Sequence, residues 1–283
     1  MRRRGRKAYI RSVYFLPSLA TLGNAVCGFG SMYVAGLIPV PTADIADPWT
    51  RMLAAHAFTA AAYLIFLAML FDALDGRLAR FARHTTDFGG QLDSLADAIS
   101  FGAAPAFLAL QVFRHQGPAF VPPSISRFIW AIGAFYMSCA LMRLARFNVS
   151  NEHGEQHHFS FLGLPSPGAA GTVAGMVLMQ QDLFHSAYSI AGHLSTVCVY
   201  LLPPLVLLTG LLMISMVRYP HLVNRYLRGR RSITRLVVVL AFGLLLVVAH
   251  IYTIAIGTLI YVLVPLLHTF YLRLRRKQRL AVD

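Results

Sequence analysis

Apolar runs of bilayer-crossing length recur along this chain. Leu16–Val40, Leu53–Leu74, Leu92–Phe113, Phe128–Phe147, Phe161–Met179 and Leu194–Val217 each supply about the 20 residues that a membrane helix requires. A further run, Leu236–Leu272, is about twice as long and splits near His250–Thr253 into two short spans. In hydrocarbon the backbone must bond internally, which for uninterrupted runs of this kind means helix. Composition agrees: 57% of the 283 residues are hydrophobic and 13% charged, against about 25% charged in a soluble domain. The expected fold is all-α, a polytopic membrane helix bundle of eight spans.

Lys and Arg concentrate in cytoplasmic loops near span ends, so their positions orient the bundle. Of the 25 basic residues, all but Arg51, Arg114 and Arg127 fall on one side when the spans alternate. Both termini then lie in the cytoplasm and the protein is expected in the cytoplasmic (inner) membrane. The chain divides into a basic amino-terminal segment 1–15, a transmembrane core 16–217, a basic loop 218–235, two additional spans in 236–272 and a basic tail 273–283. The first apolar run is longer than a signal-peptide core and lacks a small-residue cleavage pattern, so it is expected to remain as a span.

A net charge of +14 does not point to nucleic acid, because the basic residues flank spans and suit anionic headgroups. Cys27, Cys139 and Cys198 are isolated within apolar runs, which implies neither a disulfide framework nor a CxxC site. His153, His157 and His158 share the loop Asn151–Ser160 without a closed four-ligand zinc set. Gly171 and Gly175 make a GxxxG step, the usual mark of close helix packing.

Eleven residues are acidic, and five of them, Asp72, Asp75, Asp87, Asp93 and Asp97, fall in one window. An acid at the centre of a membrane helix costs roughly 2.5–3.5 kcal/mol, so such residues face a polar cavity and act there. Asp72 and Asp75 are three apart, Asp93 and Asp97 four apart, so each pair shares a helix face. The basic stretch from Gly76 to Asp87 turns the chain back and sets the pairs opposite each other. Carboxylates so close repel, and a hard divalent cation with oxygen ligands relieves the repulsion. Mg²⁺ or Mn²⁺ is the expected occupant, as two ions sharing bridging carboxylates. Gly76, Ala79 and Gly89 leave room for a ligand, and Arg80 carries a donor fork suited to phosphate oxygens. A phosphate anhydride fits such a site better than a bare ion. A salt-bridge network with Arg77, Arg80 and Arg83 and a proton or cation transporter remain alternatives. The transporter is disfavoured because no second acidic site leads to the other membrane face.

The residues Asp72, Asp75, Gly76, Ala79, Arg80, Gly89, Asp93 and Asp97 fill the pattern DxxDGxxAR, eight residues, GxxxDxxxD without departure. This pattern resembles the signature of the CDP-alcohol phosphotransferases. The resemblance implies a six-helix core over Leu16–Val217, with the last two spans as an extension. Three flanking segments, Thr21–Phe29, Arg143–Asn148 and Gly163–Gly171, are similar to those of the family branch that transfers a phosphatidyl group from CDP-diacylglycerol to L-serine.

Carried onto this chain, the resemblance implies metal ligation by Asp72, Asp75, Asp93 and Asp97, with Asp97 also the general base. It implies that Gly76, Ala79, Arg80 and Gly89 cradle the cytidine diphosphate, joined by Thr21 and Asn24 from the first span. Arg143 and Arg146 are candidates for serine recognition, because Arg binds carboxylate in a bidentate fork; Asn148 and Ser166 accompany them. Glycerol 3-phosphate, inositol and choline are alternative acceptors. A homodimer is expected as the commonest assembly of such proteins.

Overall fold

Residues Arg2–Ala35 form one helix, α1, whose described apolar part is Leu19–Ala35. This is a computed structural model; it describes residues 2–37, 47–82, 87–118, 120–152, 160–220 and, from 243, the chain to 279 apart from 244 and 246. Side chains of 2–18, 78–82, 87, 150–152, 160–162, 218, 220 and 272–279 lie outside the description. The short helix α2, Pro48–Ala55, is capped by the Asp47 carboxylate, which accepts from Thr50 N at 2.8 Å and Thr50 Oγ1 at 2.6 Å. These bonds hold the exposed Asp47 carboxyl below its ordinary pKa.

Helix α3, Ala57–Ala82, carries the first half of the acidic motif, and α4, Asp87–Asp97, the second. The expected reversal from Gly76 to Asp87 is shorter than the sequence suggested. Residues Gly76–Ala82 continue α3, since Leu78, Ala79 and Arg80 are all good helix formers. The remainder, 83–86, lies outside the described residues.

Directly after Asp97 the helix widens into a π-helical segment, Ala98–Ala103, before tightening into α5, Ala104–Gln116. Pro105 has no N–H for the carbonyl of Phe101 four residues earlier. The buried Tyr136 hydroxyl donates to that carbonyl at 3.1 Å. A π segment inside a membrane helix is tolerated where a neighbouring helix satisfies the freed group in this way.

Helix α6, Pro123–Glu152, leads toward the expected fifth span. That span does not begin at Phe161. Ser160–Leu162 are instead a short strand, β1, paired antiparallel with β2, Arg218–Pro220, with Phe161 opposite Tyr219. The helix, α7, starts at Ser166 and ends at Phe184. The delay has a local cause. Gly163 takes φ +83°, where a Cβ would sit 2.3 Å from the Met213 carbonyl oxygen, and Pro165 precedes the first helical turn. Gly163 N donates to Val217 O and Leu164 N to Leu212 O, both at 2.9 Å, tying this turn to the end of α8, Ser189–Ile214. The fold remains all-α apart from this two-stranded ribbon.

The last described helix, α9, runs from His250 to Arg279. Among the described residues five helical stretches are long and apolar enough to cross a membrane: Ala57–Arg77, Phe88–Gln116, Pro123–Val149, Ser189–Ile214 and His250–Tyr271. The protein is an integral membrane protein. The expected seventh span, 236–249, falls mostly outside the described residues, and so do His153, His157 and His158.

Small side chains set the spacing inside the bundle. Ala61, Ala62, Ala68, Ala104, Ala170 and Ala174 are fully buried, as expected where membrane helices associate by close backbone approach. Gly175 of the GxxxG step faces the Ala255 backbone of α9, where a Cβ would stand 3.1 Å from Ala255 Cα. At the end of the bundle remote from the aspartates, Gln180 and Gln181 of α7 both donate to Gln116 Oε1 of α5, at 2.7 and 2.8 Å. Gln180 also donates to Ser195 Oγ of α8 at 3.0 Å. Such interhelical bonds in membrane bundles contribute about 0.6–2 kcal/mol each. The three cysteines are free and buried.

Candidate active site

Asp72 is placed by α3, one turn before its partner Asp75, while Asp93 and Asp97 occupy successive turns of α4. With α3 and α4 both packed on α1, Asp72, Asp93 and Asp97 come together, each offering a carboxylate oxygen, with these atoms within 4.8 Å of one another. Three like charges at that spacing repel by about 3–4 kcal/mol per pair at an effective dielectric of 20. All three are partly accessible, so a ligand can reach them.

Asp75 lies outside this trio, although its charge still acts on Asp72 and Asp93. Its carboxylate is buried and accepts a hydrogen bond from Thr21 Oγ1 of α1. Asn24, one turn further along α1, donates through Nδ2 to Asp97 Oδ1 at 3.0 Å. The two first-span residues therefore each hold an aspartate. The family resemblance gave them nucleotide contacts, and the apolar run containing them showed no sign of which helix they would face. Asn24 Oδ1 is buried and has no hydrogen-bond partner among the described residues.

Close contact between α1 and the π segment makes this arrangement possible. Ser100 Oγ donates to the Asn24 carbonyl at 2.8 Å. A Cβ on Gly28 would meet Ser100 Oγ at 2.4 Å and Ser100 Cα at 2.6 Å, so only glycine admits this approach. The wide π turn that places Ser100 here begins at the residue after Asp97.

The nucleotide candidates divide. Gly76 is exposed and a Cβ there would meet nothing within 4 Å among the described residues, which keeps open the space the sequence predicted. Gly89 sits in the first turn of α4. Ala79 and Arg80 extend α3, but their side chains lie outside the described residues.

On the other flank of the trio, Arg143 of α6 is mostly buried and donates through Nη1 to Ser166 Oγ at 2.6 Å. Its Nε has no partner among the described residues, and its charge acts on Asp97. Arg146, a turn later, is exposed. Asn148 joins the site through Ser94: Asn148 Nδ2 donates to Ser94 Oγ at 2.9 Å. Ser94, next to Asp93, is a residue the sequence reading missed. Its signal was slight, a lone hydroxyl one residue from a motif aspartate.

The donor set suits a hard divalent cation. The trio offers carboxylate oxygens only, mutually repelling and partly accessible, and Asn24 orients the Asp97 carboxylate.

Comparison with known proteins agrees with this geometry. The family model for CDP-alcohol phosphatidyltransferase matches residues 14–217. A Helicobacter pylori protein named CDP-diacylglycerol–serine O-phosphatidyltransferase is 30% identical over 212 residues, covering 75% of this chain and 74% of its own. Proteins of the same name from Methanocaldococcus jannaschii and Saccharomyces cerevisiae are 35% identical over 163 residues and 38% identical over 128. These alignments cover 57% and 43% of this chain, and 64% and 42% of the respective relatives. With its matched segment running through every helix that carries an aspartate or arginine of the site, the chain belongs to the CDP-alcohol phosphatidyltransferase family.

Proposed function

We propose that this protein transfers the phosphatidyl group of CDP-diacylglycerol to the hydroxyl of L-serine, forming phosphatidylserine and releasing CMP. The observation that carries the reading is the convergence of Asp72, Asp93 and Asp97 from two helices at the basic end of the bundle. The names of the relatives support serine as acceptor. The substrate's chemistry suits the location, since its acyl chains stay in lipid while its diphosphate meets water. The Lys and Arg distribution supports a site and termini facing the cytoplasm.

Asp72, Asp75, Asp93 and Asp97 would hold Mg²⁺ or Mn²⁺, as two ions. When bound there, the cations supply charge neutralisation to the diphosphate and to departing CMP. Everything else falls to the chain. Gly76 and Gly89 admit the nucleotide close to the backbone, and Ala79 and Arg80 are the further nucleotide contacts that the motif implies. The serine oxygen attacks the phosphorus that bears diacylglycerol, and the bond from that phosphorus to the CMP oxygen breaks. Asp97 accepts the serine proton as the new bond forms. The Asn24 amide, bonded to Asp97 Oδ1, orients the carboxylate so that its other oxygen faces the acceptor. Arg143, with Arg146 beside it, binds the serine carboxylate, and Asn148 and Ser94 close the polar edge.

The test is an acceptor panel. Purified protein in lipid with CDP-diacylglycerol and Mn²⁺ is given L-serine, glycerol 3-phosphate, inositol or choline, and CMP release is measured. Serine-dependent release is expected. Release with another alcohol and none with serine would replace the acceptor, and Arg143→Ala and Arg146→Ala variants that both keep the wild-type KM for serine would contradict its assigned contacts.

A further inference from the structure

Helix α9 lies outside the segment that matches the family model, yet it packs along the helix that opens beside the acceptor flank of the site. Gly175 stands against Ala255, and Thr172 Oγ1 reaches the Thr258 carbonyl at 3.4 Å. At the site end, Gly168 lies under the Tyr261 ring, where a Cβ would be 3.0 Å from Tyr261 Cε1. Gly168 is in the first turn of α7, two residues after Ser166, the acceptor of the Arg143 hydrogen bond.

Two contacts fix how far α9 slides along α7. Tyr219 of β2 donates to the Val262 carbonyl at 3.2 Å, and its ring centroid lies 5.7 Å from that of Tyr261. Tyr219 is fully buried, and burial pushes its hydroxyl up to about 12, so it remains a neutral donor. The ribbon that carries Tyr219 is itself tied to the Gly163–Leu164 turn preceding α7. Tyr261 is thus gripped by the same small assembly that starts α7. It is also close enough to Arg143 for the two groups to interact electrostatically.

We propose that Tyr261 is a positioning residue for the acceptor half of the active site: packed on Gly168, it holds the first turn of α7 so that Ser166 keeps the Arg143 guanidinium directed at the incoming carboxylate. This rests on serine being the acceptor and Arg143 its contact. The carboxy-terminal helix then belongs to the catalytic unit.

The experiment uses the full chain in CDP-diacylglycerol-containing liposomes with Mn²⁺, comparing wild type, Tyr261→Ala, Tyr261→Phe, Gly168→Ala and Leu267→Ala. Leu267 is exposed on the same helix and serves as the lipid-facing control. Tyr261→Ala is expected to raise KM for serine about tenfold while KM for CDP-diacylglycerol stays within about twofold. Tyr261→Phe keeps the ring and restores KM for serine to within about threefold. Gly168→Ala, which pushes the ring by tenths of an ångström, raises it about threefold and provides the reading if Tyr261→Ala does not accumulate. An unchanged KM for serine in both Tyr261→Ala and Gly168→Ala overturns the inference, as does a parallel rise for both substrates matched by Leu267→Ala. A wild-type protein that releases no CMP with serine overturns the acceptor assignment and this inference with it. Serine-dependent release by the wild type together with unaffected variants overturns this inference alone.

Discussion

Asp97 differs from its neighbours in having a dedicated amide donor at one oxygen, and its proposed role as base rests on the other. Asp97→Asn is expected to lower kcat by about 10²–10⁴-fold while CDP-diacylglycerol still binds, as measured by turnover and by binding of the labelled nucleotide lipid. Wild-type turnover in that variant would remove Asp97 as base. Asn24→Leu withdraws the orienting bond without touching the carboxylate itself. A smaller loss of kcat, about tenfold, with little change in KM is the expected signature. Removing cations with a chelator should abolish CMP release, and Mn²⁺ or Mg²⁺ should restore it. In Asp93→Asn the Mn²⁺ concentration needed for half-restoration should rise by about an order of magnitude. At this scale the sequence was informative about which aspartates matter, because carboxylates in apolar sequence stand out. It was uninformative about Thr21 and Asn24, whose partners lie 54 and 73 positions away in the chain.

Elements carry the precision that single residues cannot. The π segment, the glycine at position 28 and the Tyr136 hydroxyl together bring α1 against the start of α5, and each has a separable cost. Gly28→Ala would force a methyl group into Ser100, including its backbone, and overpacking of that kind costs about 1–3 kcal/mol. The expected outcome is a lower Tm in detergent together with lost activity, since Asn24 and Asp97 would move apart. Tyr136→Phe leaves the Phe101 carbonyl buried without its donor, at a cost of about 1–3 kcal/mol. It should lower Tm while KM for serine stays within about twofold, because the change lies a turn below the aspartates. The π turn was hidden from sequence reading: Pro105 marked an irregularity in the helix, but the compensating donor sits 31 residues further on, in another span. The late start of α7 was nearer to hand. Gly163, Pro165 and Pro167 announced a turn, and only the apolar character of Phe161 and Leu162 suggested that the helix began earlier.

Across the whole molecule, the candidate site occupies one end of the bundle and a cluster of interhelical amide bonds the other. The Gln116, Gln180 and Gln181 cluster ties α5 to α7 at the remote end, while the site end carries the aspartate trio and an arginine whose Nε has no partner among the described residues. Hydrophobic run length was enough to read the class of fold, because a bilayer leaves a chain few options. It did not reveal how α9 docks, since an apolar helix can pack on any apolar face and the choice here depends on Gly168, Gly175 and a hydrogen bond from Tyr219. The central claim is phosphatidyl transfer to serine at the aspartate trio. Its most direct test is mass-spectrometric measurement of phosphatidylserine against CMP from purified, reconstituted protein, with Asp93→Asn alongside. Equal amounts of the two products from the wild type, and far less of both from the variant at the Mn²⁺ concentration that half-restores the wild type, are predicted. Absence of phosphatidylserine from the wild type, or an undiminished yield from Asp93→Asn, would contradict it.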